Sequence, residues 1–262
     1  MTILPDSLRC KSLRVVACGV FEPELEEIIP EIDANIDLEL LDAGLHSDPD
    51  RLRTEGQQSI DETVPEDYDA VIVCYGLCGR GTSGLQAQQI PVVLLRVHDC
   101  ITLFLGSRSE YMKQFQRHPG TFYITPGWYH KKLHDQQKDD FDHRTLQDES
   151  DPRFAQWADQ FGQQAARWLG NFYNSWKRNY TRAAYIDTLE DPPGEYARYT
   201  RSLAETMGWE YESIPGRRDL LLNALQGNWD TEEMLVLRPG QIRGNRRRAD
   251  PAGTGRQKRG AG

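Results

Sequence analysis

The sequence predicts an α/β protein: a mainly parallel sheet with helices on both faces, as one extended sheet or as two Rossmann-like lobes. Three observations lead there. Short apolar runs recur along the 262 residues, and segments with helical periodicity or helix-start signals separate them. Parallel strands need crossover connections of that kind, so the alternation itself implies a largely parallel sheet. Finally, 38% apolar and 27% charged residues is an ordinary globular mix, and the length suits one large domain or two small ones.

Taken in order, residues 1–12 form an N-terminal extension, and 13–17 read as a buried strand. A short helix follows at 23–29 with Pro23 in its first turn. A second strand lies at 36–41; Asp48 before Pro49 then starts a helix running to about Thr63. Strands follow at 70–75, 92–97 and 122–125, and Ser107 with Glu110 opens a helix to about Arg117 in the capping-box pattern. Residues 13–129 are thus read as the first α/β lobe. Polar residues at 130–152 lack useful periodicity and read as a linker or lid. From 153 to 240 a long helix leads a second α/β part. Phe154, Trp157, Phe161, Ala165, Trp168, Phe172 and Trp176 fall on one face of that helix, the pattern of an aromatic core stripe. Beyond it come strands at 183–187, 209–214 and 234–237 and helices at 196–207 and 217–225.

The net charge of −9 is unevenly spread. Residues 241–262 hold seven arginines and lysines against Asp250 alone, so the rest of the chain is more acidic still. An acidic body disfavours nucleic acid as a partner; the Gly- and Arg-rich end reads as a disordered tail with at most weak contact to RNA or an acidic surface. No window approaches 18 continuous apolar residues, which excludes a transmembrane helix. No secretory signal is visible at the N-terminus, and an odd count of five cysteines argues for reduced thiols in a cytoplasm.

Three of those cysteines follow predicted strands. Cys18 closes the first, Cys78 follows the third, and His98 and Cys100 follow the fourth. Carboxyl ends of parallel strands share one edge, where ligand sites gather. Three thiols and an imidazole would converge there, which is the inventory of a Cys₃His zinc site or of an iron–sulfur cluster. His98 and Cys100 share a face if their segment is extended. Cys74 reads as a small buried hydrophobe and Cys10 as incidental. On the same edge, His46 is a general base, an alternative ligand or a helix cap, and Pro126-Gly127-Trp128 walls the site. Histidines 118, 130, 134 and 143 sit in polar surroundings and read as solvated.

Gly79-Arg80-Gly81-Thr82-Ser83-Gly84 fits G-x-G-x-x-G after a strand. With a helix at 82–89 and Asp99 on the ribose it would bind a dinucleotide. Without the dinucleotide, the backbone of Gly79, Gly81 and Gly84 with Arg80, Arg96 and Arg108 would hold an anion. This nucleotide- or anion-binding module, free of metal, is the competing reading of the chain.

Several phrases together carry a family resemblance: Ala17-Cys18-Gly19-Val20, Leu41-Asp42-Ala43-Gly44-Leu45-His46, Tyr75-Gly76-Leu77-Cys78-Gly79, Arg96-Val97-His98-Asp99-Cys100-Ile101, Phe104-Leu105-Gly106-Ser107-Arg108 and Thr125-Pro126-Gly127-Trp128. They resemble the bacterial and archaeal family called domain of unknown function 1638, over residues 13 to about 240. The resemblance implies a cytoplasmic α/β protein with Cys18, Cys78, His98 and Cys100 on motif positions, and it places the chain near corrinoid-dependent methyl-transfer systems. On that expectation zinc held by Cys18, His98 and Cys100, with Cys78 as a fourth, displaceable ligand, would ionise a thiol substrate to accept a methyl group. His46 would take the proton, and Arg80 and Arg108 would hold an anionic group. An iron–sulfur cluster would instead deliver electrons to an oxidised corrinoid partner.

Overall fold

A computed structural model describes residues 11–137, 152–173, 175–191, 193–229 and 232–244. Cys10, His143 and residues 245–262 lie outside them. The first sheet has four parallel strands in the order β2-β1-β3-β4: β1 (Ser12–Cys18), β2 (Asn35–Leu41), β3 (Ala70–Cys74) and β4 (Val92–Leu95). A last strand, β8 (Met234–Leu237), returns antiparallel along β4. Strands β3 and β4 are buried at every residue, as the inside of a sheet covered on both faces requires. Edge strand β2 is partly exposed, and Arg14 of β1 pairs with its Asp37 and Glu39.

The crossovers follow their sequence signals. Helix α1 (Glu22–Ile28) has Pro23 in its first turn. Helix α2 (Pro49–Asp61) is capped by Asp48, whose Oδ1 accepts from Arg51 N at 3.1 Å. After β4 comes the short α3 (Cys100–Phe104), then α4 (Arg108–Arg117), whose cap Ser107 Oγ accepts from Glu110 N at 3.1 Å.

A second parallel sheet holds β5 (Thr121–Ile124), β6 (Arg182–Asp187) and β7 (Glu210–Pro215) in that order. The remaining helices are α5 (Pro126–Gln137), which packs on α1; α6 (Pro152–Phe161) and α7 (Gln163–Tyr173); α8 (Glu195–Met207), which packs on β6 and β7; and α9 (Asp219–Leu225), which packs on β3 of the first sheet. One apolar core joins the sheets, running from Val15, Val73 and Leu94 to Ala184, Ile186 and Ile214. Polar contacts cross the same seam: Lys131 Nζ lies 3.3 Å from Asp42 Oδ2, and Thr188 Oγ1 donates to Glu24 Oε1 at 2.5 Å. In α5, Gly127 passes so near Val20 that a Cβ would overlap its carbonyl.

Five expectations change. Strand β5 pairs with β6, so it belongs to the second sheet rather than the first lobe. Helix α5 occupies residues 130–137 of the stretch read as a linker, including His130 and His134, and residues 138–151 of that stretch lie outside the described residues. Residues 82–89 form turns and a bridge instead of a helix. The aromatic stripe splits into α6 and α7 at Gly162, whose φ of +84° ends a helix. Phe161, Trp168 and Phe172 are then 56%, 65% and 62% exposed; Phe154 is buried. Finally, the ordered chain passes Gly240: Ile242 bridges to Gln86 and Arg243 is 7% exposed. No helix among the described residues is long and apolar enough to cross a membrane.

Candidate functional site

The carboxyl edge of the first sheet gathers the thiols. In the β1–β3 register Ala17 lies opposite Cys74, so Cys18 and Tyr75 are the next residues on the two strands. The chain then turns: Leu77 N donates to Val97 O at 2.9 Å and Cys78 N to His98 O at 3.2 Å, tying the Cys78 turn to the segment that leads into Cys100. Gly76 permits this approach, since a Cβ there would stand 2.7–2.8 Å from Asp99 backbone atoms. Asp99 fixes the other side as the cap of α3, its Oδ1 accepting from Thr102 N at 3.1 Å and Thr102 Oγ1 at 3.2 Å. Cys78 and Arg80 have φ of +39° and +80° around Gly79 at +64°. Side-chain-bearing residues in that region cost energy and cluster at functional sites.

The thiols stand in series. Cys100 is near enough to Cys18 on one side and to Cys78 on the other for each to act on its ionisation. Cys100 first, then the backbone N–H of Val20, hold the Cys18 thiol below its ordinary pKa despite burial. Cys100 is pushed up, first by its bonds to Cys18 and Cys78 and then by burial. Of Cys18 and Cys100, Cys18 is therefore the one that favours the thiolate. The Tyr75 hydroxyl, 1% exposed as a residue, has no partner in hydrogen-bond geometry. Burial first, then the nearby thiols, raise its pKa far above the phenol range. Cys74 is core as expected, and burial alone pushes its thiol up to about 12.

His98 does not join the thiols. Strand β4 stops at Leu95 and Cys100 begins a helix, so the two residues are not on one extended face. The His98 side chain is 77% exposed, with Nδ1 3.1 Å from Asp99 Oδ2 and its ring 6.3 Å from that of Tyr111. Among the described residues no group of three or more His, Cys, Asp or Glu side chains is placed to hold a metal ion. His46 lies in a turn packed on the 78–80 turn, but it is exposed and its Nδ1 sits 2.6 Å from Ala43 O. Arg80, Arg96 and Arg108 are exposed, and among the described residues no ion pair engages them. Trp128 packs on Phe122 and Tyr199 in the second sheet's layer instead of walling the thiols.

The glycine loop has its own explanation. Gly81 lies where any Cβ would overlap Leu52 of α2, and Gly79 and Gly84 have φ of +64° and +89°. Three of its N–H groups are already spent: Gly81 N donates to Cys78 O, Ser83 N to Arg80 O, and Gly84 N to Arg243 O. No helix follows, so the helix dipole that helps to hold phosphate is missing here. Asp99, committed to capping α3, is not offered to a ribose.

Two residues escaped the sequence reading. Tyr75 could have been found, because it flanks core Cys74 in a strand whose residues alternate faces. Arg243 gave no sign, being one arginine among many at the C-terminal end. Hollows of about 610 and 400 Å³ lie elsewhere, over α2 and at the carboxyl edge of the second sheet, and neither is lined by a cysteine.

Residues 40–225 match the model of the family described as protein of unknown function (DUF1638), and the chain belongs to that family. The matched segment includes Tyr75, Cys78, His98 and Cys100, and leaves Cys18 and Arg243 beyond its two ends. No curated protein and no solved structure matches the chain.

Proposed function

We propose that this member of the DUF1638 family is a metal–thiolate protein in which Cys18, Cys78 and Cys100 together hold zinc or an iron–sulfur cluster, and that the centre serves corrinoid-linked methyl transfer to a thiol. The observation that supports it is the contact of three free thiols delivered from three separate strand ends. Sulfur-rich ligation suits both metals, and a cytoplasmic setting, part of the same reading, keeps such thiols reduced. The unpartnered Tyr75 hydroxyl supports it too, since buried polar atoms are almost always satisfied and an orphan marks a place that expects an occupant. A metal held there would acidify an incoming thiol, whose proton would pass to solvent, and so supply a nucleophile toward a corrinoid-bound methyl group. The chain's own residues shape the place: Gly76 and Asp99 lock the two thiol-bearing segments together, and exposed Arg80 and Arg96 offer charge to an anionic substrate.

Purification without air tests the metal directly. The expected result is one zinc per chain, or iron with sulfide in a brown protein, lost on Cys100→Ser. Stable, metal-free protein indifferent to chelators overturns the reading. Methyl transfer from methylcobalamin to small thiols is expected of the loaded protein; transfer that survives Cys100→Ser overturns the thiol mechanism.

A second reading is favoured by the depressed Cys18 thiol at the start of a turn: a metal-free nucleophile. Alkylation followed by peptide mass mapping separates the two. Preferential labelling of Cys18 in metal-free protein supports the nucleophile; protection of all three thiols until a chelator is added supports the metal.

A further inference from the structure

The hollow of about 400 Å³ at the carboxyl edge of the second sheet has no part in the thiol reading. Its size suits a small molecule, and the carboxyl ends of parallel strands are where such sheets bind ligands. Tyr185 and Asp187 at the end of β6, Ser213 of β7 and Ala197 of α8 line it, with Thr188 and Glu190 on the segment after β6. That segment is held in place. Asp191 accepts from the backbone N–H of Glu195, Tyr196 and Ala197 at 2.8–3.3 Å, and a Cβ at Gly216 would stand 2.4 Å from Thr188 Cγ2.

The lining selects a cation. Asp187, Glu190 and Asp191 are acidic, and no lysine, arginine or histidine lines the hollow. Among the described residues no ion pair engages these three carboxylates. The N-terminus of α8, which could have held an anion, is already taken by Asp191. Burial first, then the charges of Asp187 and Asp191, push the Tyr185 phenol far above its ordinary range, so further negative charge is disfavoured here. Behind the wall is an independent sign of a ligand. Glu24 is 0% exposed, and Thr188 Oγ1 donates to its Oε1 at 2.5 Å, which turns the carboxyl toward the lining; its Oε2 has no partner. Buried acceptors are almost always satisfied, and an orphan calls for a donor. Apolar groups also share the lining: Leu189, Ala197 and the Tyr185 ring, which stands 6.1 Å from that of Tyr196. Carboxylates interspersed with apolar surface match ammonium groups joined by methylene groups, and a tyrosine face attracts an ammonium as well. A metal ion needs donors gathered about one point, and among the described residues no three His, Cys, Asp or Glu side chains are so placed.

We propose that this hollow binds a small aliphatic diamine or polyamine, with Asp187 and Glu190 taking its ammonium groups and Glu24 reinforcing the site through Thr188. Neither metal nor thiol reactivity enters the proposal, so it stands or falls apart from the thiol edge.

Isothermal titration calorimetry of the full chain with putrescine and spermidine tests it, with Mg²⁺ and inorganic phosphate as the competing classes. One saturable amine site per chain is expected. Asp187→Asn changes an exposed side chain without changing its shape and is expected to weaken binding roughly 10- to 100-fold. Glu62→Gln removes the same charge from the hollow over α2 and is expected to leave the affinity unchanged. Glu24→Gln is expected to weaken binding while raising the unfolding midpoint at pH 8, a pair of changes that a folding defect does not give. Equal weakening by Asp187→Asn and Glu62→Gln means adsorption to a chain of net charge −9 and overturns the proposal. Absence of amine binding overturns it too, as does tighter binding of Mg²⁺ or phosphate that Asp187→Asn alters. Unchanged affinity in Glu24→Gln overturns the assignment, because the orphan carboxyl is what points to a ligand. If Asp187→Asn does not fold, Glu190→Gln, also exposed, replaces it in the same comparison.

Discussion

At the carboxyl edge of the first sheet stand Cys18, Tyr75 and Cys78, buried, with half-buried Cys100 beside them; at that of the second, Tyr185, Asp187, Thr188, Asp191 and Ser213 line an open hollow of about 400 Å³. Both edges belong to parallel sheets, and both spend an aspartate on the next helix. Asp99 caps α3, while Asp191 accepts from the backbone N–H of Glu195, Tyr196 and Ala197 of α8 at 2.8–3.3 Å. An acidic residue after a strand is thus a cap in either place. What distinguishes the edges is the residues left over: uncommitted thiols and a phenol in one, hydroxyls and solvated carboxylates in the other.

The seam between the sheets is the place to break that comparison. Gly127→Ala sets a methyl group against the Val20 carbonyl, two residues from Cys18. Backbone cannot yield as a flexible side chain would, so a loss of about 4 kcal/mol is expected, at the severe end for single substitutions. Urea unfolding measures it. Gly194→Ala at the second edge meets open space and strains only a φ of +64°, at about 1 kcal/mol. Similar losses at the two sites would mean that the seam is loose.

Glu24 sharpens the comparison because it couples the edges. It is fully buried, its Oε2 has no partner, and burial outweighs the Thr188 hydrogen bond to push its carboxyl up to about 7. A raised acid pKa means that the folded state holds the proton more tightly. The stability Glu24 contributes is therefore full below its unfolded value near 4.5 and is lost as pH rises through about 7. Glu24→Gln should remove that dependence and gain up to about 3 kcal/mol at pH 8. Unfolding curves at pH 5 and pH 8 check it; an unchanged slope between them would show that the carboxyl is already hydrated.

Two buried arginines make the same contrast. Arg182 in β6 is 1% exposed, pairs with Glu212, and donates to Thr121 Oγ1 at 3.0 Å and Gln114 Oε1 at 3.1 Å. Arg243 has two neutral acceptors and, among the described residues, no ion pair. Arg182→Met should cost about 2 kcal/mol, because it orphans buried acceptors beside a paired carboxylate. Arg243→Met should cost less than about 1 kcal/mol, since removing an uncompensated charge offsets the lost hydrogen bonds. Chemical unfolding of the two variants measures the difference, and equal costs would mean that Arg243 is compensated within the fold.

The strands and most crossovers were legible because each rests on local physics: buried apolar runs, Pro23, and the caps Asp48 and Ser107. The convergence of Cys18, Cys78 and Cys100 was legible from parallel topology alone. His98 was misread because its face depended on where β4 ends, and a helix start at Cys100 turned it outward. The glycine loop was misread because G-x-G-x-x-G does not say whether glycines serve a ligand or the Leu52 side chain. Arg243 was hidden because its place depends on backbone pairing between residues about 160 positions apart from the turn it supports, a long-range contact with no periodic trace.

The aromatic helices give the smallest effect and the clearest check on that reasoning. Periodicity put Phe161, Trp168 and Phe172 on one face, and a shared face suggests burial. Yet Gly162 redirects the chain, and Trp168 stacks on Phe172 at 5.6 Å while remaining 65% exposed. A tryptophan in the core costs about 3–5 kcal/mol when truncated, whereas exposed positions usually change stability by less than about 0.5 kcal/mol. Trp168→Ser should therefore leave the urea midpoint nearly unchanged, with metal content and Cys18 alkylation equally unaffected, because α7 lies outside both sheet edges. A loss of several kcal/mol would instead restore the stripe to the core, and would mean that the α6–α7 pair closes over an apolar surface in solution.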